Sequence, residues 1–244
     1  MLIYQKGSNC KLLLCMATKT KLKKLHLGCG TIAPSDWINI DSSWNAWLAK
    51  HPLLKYSIKM TGMIKGDLLD IPWPKNILLH DITKNLPFKD NSIDYIYSSH
   101  SLEHLYLEQA KILLKECFRV LKPEGIFRII VPDLKAFVKK YLTDTHKESD
   151  PEGTKADRLL ILLRLQQPNP NSKNLIVRCY NRLNNTDSHK WMYDTKSLTF
   201  YLKRAGFTNV KTRKLFESKI NDIKTIEQPI RLDDAVCLET EKSI

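Results

Sequence analysis

Short apolar runs alternate with longer amphipathic stretches along most of this chain. Lys23–Leu27, Trp37–Ile40, Ile77–Leu79 and Ile93–Tyr97 read as strands. Leu107, Ala110, Leu114, Cys117, Phe118 and Leu121 then recur at helical spacing, which predicts a helix over Tyr106–Leu121 with Ser101 as its candidate cap. Lys122-Pro123-Glu124-Gly125 stops it. Ile126–Val131 follows with little alternation, as a central parallel strand does when both its faces are covered. A helix over Leu134–Leu142, an amphipathic helix over Thr195–Ala205 stopped by Gly206, and strands at Phe207–Val210 and Ala235–Glu239 complete the order. Such alternation predicts an α/β fold with a mostly parallel sheet.

Three stretches fit this rhythm poorly. Thr31–Asp36, which contains Pro34, leaves barely one helical turn between the first two strands, whereas a parallel crossover usually takes a dozen residues or more. The usual first helix is therefore truncated. Ser43–Tyr56 reads as one helix capped by Ser42 or Ser43, with Trp44, Trp47, Leu48 and Leu54 supplying apolar surface, and Thr61–Asn76 as a loop punctuated by Gly and Pro. Asp144–Asn174 is a polar insertion around an apolar core, Leu159–Leu165, better read as a peripheral helix than as a lid. The expected layout is an N-terminal extension over 1–20, expected to be disordered, then one domain over 21–244 with an insertion at about 144–186. Leu12–Ala17 is too short for a signal-peptide core, and Met16 is a candidate natural start.

Composition changes this picture little. The chain is 43% hydrophobic and 27% charged, which leaves no case for disorder as a whole. A formal charge of +13 suits nucleic acid, an anionic membrane face or acidic sugars, and also occurs in plain soluble enzymes. Basic residues are spread over the chain rather than gathered with aromatics into one stripe, which disfavours RNA as the partner. The six cysteines form no CxxC pair, so reduced thiols in a cytoplasmic protein are expected. No apolar run reaches the ~20 residues of a membrane span.

Gly28-Cys29-Gly30 after the first strand, with Asp41 closing the second, is the opening of a nucleotide-type site. His100, Glu103 and His104 form a polar cluster after the fourth strand. The HxxEH spacing admits a metal, but the sequence puts no third ligand in view, and none is expected.

Together LHLGCG (25–30), NID (39–41), HDITKNLPF (80–88), SIDYIYSSHSLEHL (92–105) and ECFRVLKPEGIFRIIVPD (116–133) resemble a class I S-adenosylmethionine-dependent methyltransferase. DSHKWMYDTKSLTFYLKRAGF (187–207) is similar to a segment of methyltransferases associated with sugar and polysaccharide pathways. The resemblance implies a Rossmann-like, doubly wound seven-stranded sheet with helices on both faces and an antiparallel C-terminal strand. It implies S-adenosyl-L-methionine as cofactor. Gly28, Cys29 and Gly30 would cradle its methionine and sugar, Cys29 through its backbone, and Asp41 would accept the ribose hydroxyls. Asp81 and Ile82 would meet the adenine, and Ser98 and Ser99 the methionine end. Asp67 and Asp70 are alternatives to Asp41 if the short crossover misplaces the second strand. A cap role for Asp41 and a turn role for Asp81 stay open beside these.

The implied reaction is methyl transfer to a small-molecule or sugar acceptor, at an oxygen, by in-line displacement. A hydroxyl acceptor benefits from a base, and His189, beside Trp191 and Tyr193, and His100 are the candidates. Both also read as histidines that merely anchor their loops. An RNA or protein methyltransferase, an inactive cofactor-binding module and a nicotinamide-dependent oxidoreductase are the competing readings. Ser-Ser-His-Ser stands where nucleobase N-methylation expects Asn/Asp-Pro-Pro-aromatic, and the LPF and EHL segments do not fit the oxidoreductase.

Overall fold

A computed structural model of the protein describes residues 21–61, 69–144, 154–165 and 188–243. Among the described residues, seven strands form one sheet: β1 (Lys24–Leu27), β2 (Ile38–Asp41), β3 (Ile77–Leu79), β4 (Ile93–Ser99), β5 (Leu121–Pro132), β6 (Phe207–Thr212) and β7 (Ala235–Lys242). Their order is β3-β2-β1-β4-β5-β7-β6. The first five pair parallel, and β7 lies antiparallel between β5 and β6. The strand order reverses between β1 and β4, so their carboxyl ends frame the crevice where open α/β sheets bind ligands.

The described helices are α1 (Trp44–Ala49), α2 (Pro52–Met60), α3 (Leu107–Val120), α4 (Leu134–Thr143), α5 (Lys155–Leu162) and α6 (Thr195–Arg204). The single helix expected over Ser43–Tyr56 is two. Pro52 has no N–H to continue a helix, so α1 ends before it and α2 starts on it. Ser43 does cap α1, its Oγ accepting the Ala46 N–H at 3.2 Å. Ser101 caps nothing through its side chain. It precedes a 3-10 turn, Leu102–His104, and Tyr106 leads into α3. The Lys122–Gly125 stop is drawn into β5 as an irregularity, since Ile93 pairs with Leu121 but Tyr95 with Ile126. In the insertion, α5 lies on α4 with Leu160, Ile161 and Leu162 exposed, as a peripheral helix does. The expectations for residues 1–20, for Asp67, for Cys10, Cys15 and Cys179 and for most of the insertion fall outside the described residues.

The two faces of the sheet are covered differently. On one, Leu25, Leu27, Ile40, Ile96, Phe127 and Ile129 pack against Leu113, Leu114 and Cys117 of α3 and Leu198 and Leu202 of α6. Each such side chain, fully buried, contributes about 1.5–3 kcal/mol. On the other, Trp37, Tyr97, Ile126 and Ile130 lie under Ile220, Ile223 and Ile226, which belong to the β6–β7 connection. That connection holds only one-turn 3-10 pieces, Ile223–Thr225 and Pro229–Arg231. α1 serves the same face at the β3 edge, where Ala46 meets Ile77 and Cys29.

This resolves the short crossover. β1 and β2 pair parallel, Leu27 opposite Ile40, across a link with no helix. The Ile32 N–H donates to Cys29 O and the Trp37 N–H to Pro34 O. Asn39 Nδ2 donates to both Pro34 O and Trp37 O. The face a first helix would cover is sealed by Trp37 from the link and by isoleucines from the far end of the chain. Lys24 pairs with Asp36 and Asp222, joining the two pieces. Arg128 fixes the connection from below: it is fully buried, 2.7 Å from Glu227, and donates to Glu217 O and Lys214 O.

Candidate active site

The candidate cofactor residues Gly28, Cys29, Gly30, Asp41, Asp81, Ile82, Ser98 and Ser99 lie at or just past the carboxyl ends of β1, β2, β3 and β4. Gly28 and Gly30 both have positive φ, +62° and +55°, a backbone region that favours glycine. A Cβ on Gly28 would stand 2.0 Å from Ser101 Oγ, whereas one on Gly30 would meet nothing within 4 Å. The first glycine lets β1's turn close onto the segment leaving β4. The second faces open space above the crevice.

Asp41 ends β2, as expected, and its carboxylate is already engaged. Oδ2 accepts the Gly30 N–H at 2.9 Å and Oδ1 the Ser43 N–H at 2.7 Å. One side chain thus ties the glycine turn to the start of α1, with lone pairs left on both oxygens. The Cys29 N–H donates to Ile40 O, and its carbonyl accepts the Ile32 N–H with a lone pair left over. Its thiol is buried and pushed up to about 12, chiefly by burial, so it is not a nucleophile. Asp70 follows no strand and pairs with Lys59 in solvent.

Asp81 stands exposed just past β3, where its Oδ1 accepts from the Thr83 N–H and hydroxyl, a turn role. Ile82 beside it is half-buried against the main core. Ser98 and Ser99 end β4 and are buried, and the Ser99 hydroxyl has no hydrogen-bond partner among the described residues. A narrow cleft of about 10 Å³ is lined by His26, Gly28, Tyr97, Ser99, Ile226 and Arg231. Burial pushes His26 down to about 3.

The polar cluster is larger than the sequence suggested. Glu103 is completely buried, and neither of its oxygens accepts a hydrogen bond from a described residue. His100 Nδ1 stands 3.4 Å and His104 Nε2 3.9 Å from Glu103 Oε1, too loosely placed for hydrogen bonds. His189 joins them. Its segment docks when the Lys190 and Trp191 N–H groups donate to Glu103 O, and its ring sits 5.2 Å from that of His104. Burial pushes His189 down to about 4, against a partly compensating attraction from Glu103. Tyr193 completes the surround, buried, with its hydroxyl unpartnered among described residues.

Two residues were missed from sequence. Glu103 was weighed only as a partner for its neighbours, yet it is the centre of the group. Arg231 reaches the cleft from the β6–β7 connection, and its carbonyl faces His100 Nε2 at 2.8 Å across 131 residues of chain. Local spacing signalled Glu103 through the His100–Glu103 interval. Nothing signalled Arg231.

Residues 25–129 match a family model described as Methyltransferase domain. A protein of Mycolicibacterium smegmatis (strain ATCC 700084 / mc(2)155), named as a probable S-adenosylmethionine-dependent methyltransferase, is 36% identical over 61 residues; the match takes in 25% of this chain and 23% of that relative. Among solved structures, a SAM dependent methyltransferase from Archaeoglobus fulgidus is 18% identical, with 91% of this chain and 86% of that one covered, at a TM-score of 0.43. An O-methyltransferase family protein from Burkholderia thailandensis is 10% identical, with 91% and 51% covered, at a TM-score of 0.47. Among the described residues, no helix is long and apolar enough to cross a membrane.

Proposed function

We propose that this chain is a class I S-adenosylmethionine-dependent methyltransferase, a reading supported by the methyltransferase-domain match over residues 25–129, and that it transfers a methyl group to an oxygen of a small-molecule or sugar acceptor. The observation that carries the reading is Asp41 at the end of β2, with its carboxylate against the Gly30 turn and lone pairs to spare. Bound there, S-adenosylmethionine supplies a methyl group made electrophilic by its sulfonium. Asp41 would accept from the ribose hydroxyls, Asp81 and Ile82 would flank the adenine, and Ser98 and Ser99 would line the methionine end. The space open beyond Gly30 supports this fit.

In-line transfer would need the acceptor oxygen, the methyl carbon and the sulfur to be held along one axis. Aligning the three atoms supplies on the order of 7–11 kcal/mol of the barrier. The acceptor must lose its proton, and the group of His100, Glu103, His104 and His189 beyond Ser99 is the polar surface fit to promote that loss. A side chain held near 4, as His189 is, makes a weak base at neutral pH. Its contribution is to hold and polarise the acceptor.

Thermal melts test the reading. S-adenosylmethionine or its demethylated product at a hundredfold its Kd adds about 2.7 kcal/mol, several degrees for a domain of this size at roughly 2–4 °C per kcal/mol, while NAD gives no shift. Asp41→Ala should remove most of that shift. His189→Ala should keep it and cut turnover at least tenfold. No shift with either sulfur ligand would overturn the proposal. Labelled-methyl transfer into cell extract, with and without nuclease, then separates a metabolite or glycan from RNA, the competitor kept in play by the +13 charge.

A further inference from the structure

Glu103 poses a problem that methyl transfer alone does not solve. A carboxylate side chain with no exposure and no hydrogen bond from a described residue is costly unless something compensates it. Two imidazoles face it from different parts of the chain, His104 from the turn after β4 and His189 from the segment before α6. One ring nitrogen from each histidine and an oxygen of Glu103 lie within 4.8 Å of one another.

We infer that Glu103, His104 and His189 form a binding site for a divalent first-row transition cation, beside the crevice where the methyl acceptor would lie. Two neutral imidazole nitrogens and one carboxylate oxygen make a donor set that suits Zn²⁺, Co²⁺ or Fe²⁺ better than Mg²⁺ or Ca²⁺, which take oxygen ligands. The orientation of the rings fits as well. His104 Nδ1 stands 3.3 Å from Ser188 O, so that nitrogen carries the proton and Nε2 presents its lone pair towards Glu103. Metal-ligating histidines are commonly fixed in this way through their second nitrogen. His189 makes a backbone hydrogen bond to Leu163, and its Nδ1 is buried with no hydrogen-bond partner among the described residues.

Donors bound at about 2.1 Å in tetrahedral geometry lie roughly 3.4 Å apart. The present separations, 3.9 Å for His104 Nε2 to Glu103 Oε1 and 4.8 Å at most, ask for closure of roughly 0.5–1.4 Å. His100, with Nδ1 3.4 Å from Glu103 Oε1 and Nε2 bonded to Arg231 O, stands beside the group as an orienting neighbour. Three protein ligands leave a coordination position for an acceptor hydroxyl, whose pKa the cation would lower, with the proton passing to solvent. That use of the site rests on the methyl-transfer reading; the site itself does not.

Metal retention tests it. The full chain, stripped with chelator and dialysed against micromolar Zn²⁺, should retain about one equivalent, and Co²⁺ should give a visible d–d absorption. Glu103→Gln, His104→Ala and His189→Ala should each weaken retention at least tenfold. His104 is partly exposed, so its variant is the one to read if a core substitution costs the fold. Absence of retained Zn²⁺ and Co²⁺ in the wild type, or retention unchanged in all three variants, overturns the site. Retention that depends on these residues in a protein whose melt ignores S-adenosylmethionine upholds the site and removes the methyl-transfer reading instead.

Discussion

The two faces of the sheet reach the same end by different physics. The face under α3 and α6 is a close-packed apolar layer in which Leu113, Leu114, Cys117, Leu198 and Leu202 meet strand residues at helical and strand periods. The face under the β6–β7 connection is held by polar bonds that each have one right partner. Arg128 has no exposure and binds Glu227 and two backbone carbonyls. Glu227 in turn accepts the Phe216 N–H at 2.6 Å, and Glu239 lies 3.6 Å from Arg128. An irregular segment has no repeating ladder of its own, so its carbonyls need a donor from below. The difference teaches that a helix can be replaced by a loop where a buried cation takes over its hydrogen bonds.

That contrast can be broken at several points. Arg128→Ala should cost most, about 3–5 kcal/mol, because it leaves Glu227 buried without its partner. A urea midpoint close to wild type would show the connection to be held by its isoleucines alone. Leu114→Ala, in the apolar layer, should cost about 2–5 kcal/mol by cavity formation, and unlike Arg128→Ala it should leave cofactor melt shifts intact. Gly28→Ala should cost about 1–3 kcal/mol from its left-handed backbone and displace Ser101, and so weaken cofactor binding as well; calorimetry reads both.

The smallest effect at neutral pH lies at His26, on the polar face, and it grows in acid. Its folded-state pKa, about 3, lies below the unfolded value of 6.5, so the folded chain binds fewer protons between them. Stability is therefore whole above about pH 6.5 and falls as pH drops, by about 1.4 kcal/mol per unit from this group. His26→Leu should flatten that part of the acid limb. Parallel acid limbs for variant and wild type would mean that His26 is hydrated or paired as it protonates.

What could be read in advance follows the same division. The strands, α3 and α6 were legible because burial against a regular layer writes a period into the sequence. Asp41 at the end of β2 was legible because Gly28-Cys29-Gly30 anchors the count. The split between α1 and α2 was available in Pro52 and overlooked, since the tryptophans and leucines around it keep helical spacing. The cover over Trp37 and Tyr97 was not legible, because its isoleucines come from a segment with no period, placed by an arginine on β5. The meeting of His189 with Glu103 and His104 depends on backbone bonds from Lys190 and Trp191, which side-chain patterns do not record.

The position of β7 bears on how such a chain is made. It follows β6 in sequence yet lies inside it, hydrogen-bonded to β5 along one edge and to β6 along the other. During synthesis, which delivers the N-terminal part first, β1 to β5 can assemble as each emerges. β6 has no place in the sheet until Ala235–Lys242 has left the ribosome. Until then the edge of β5, the longest strand, stands open to pairing with any other extended segment. For this fold the interval between β5 and β7 is the window in which a chaperone, or a second nascent chain, has access to the sheet.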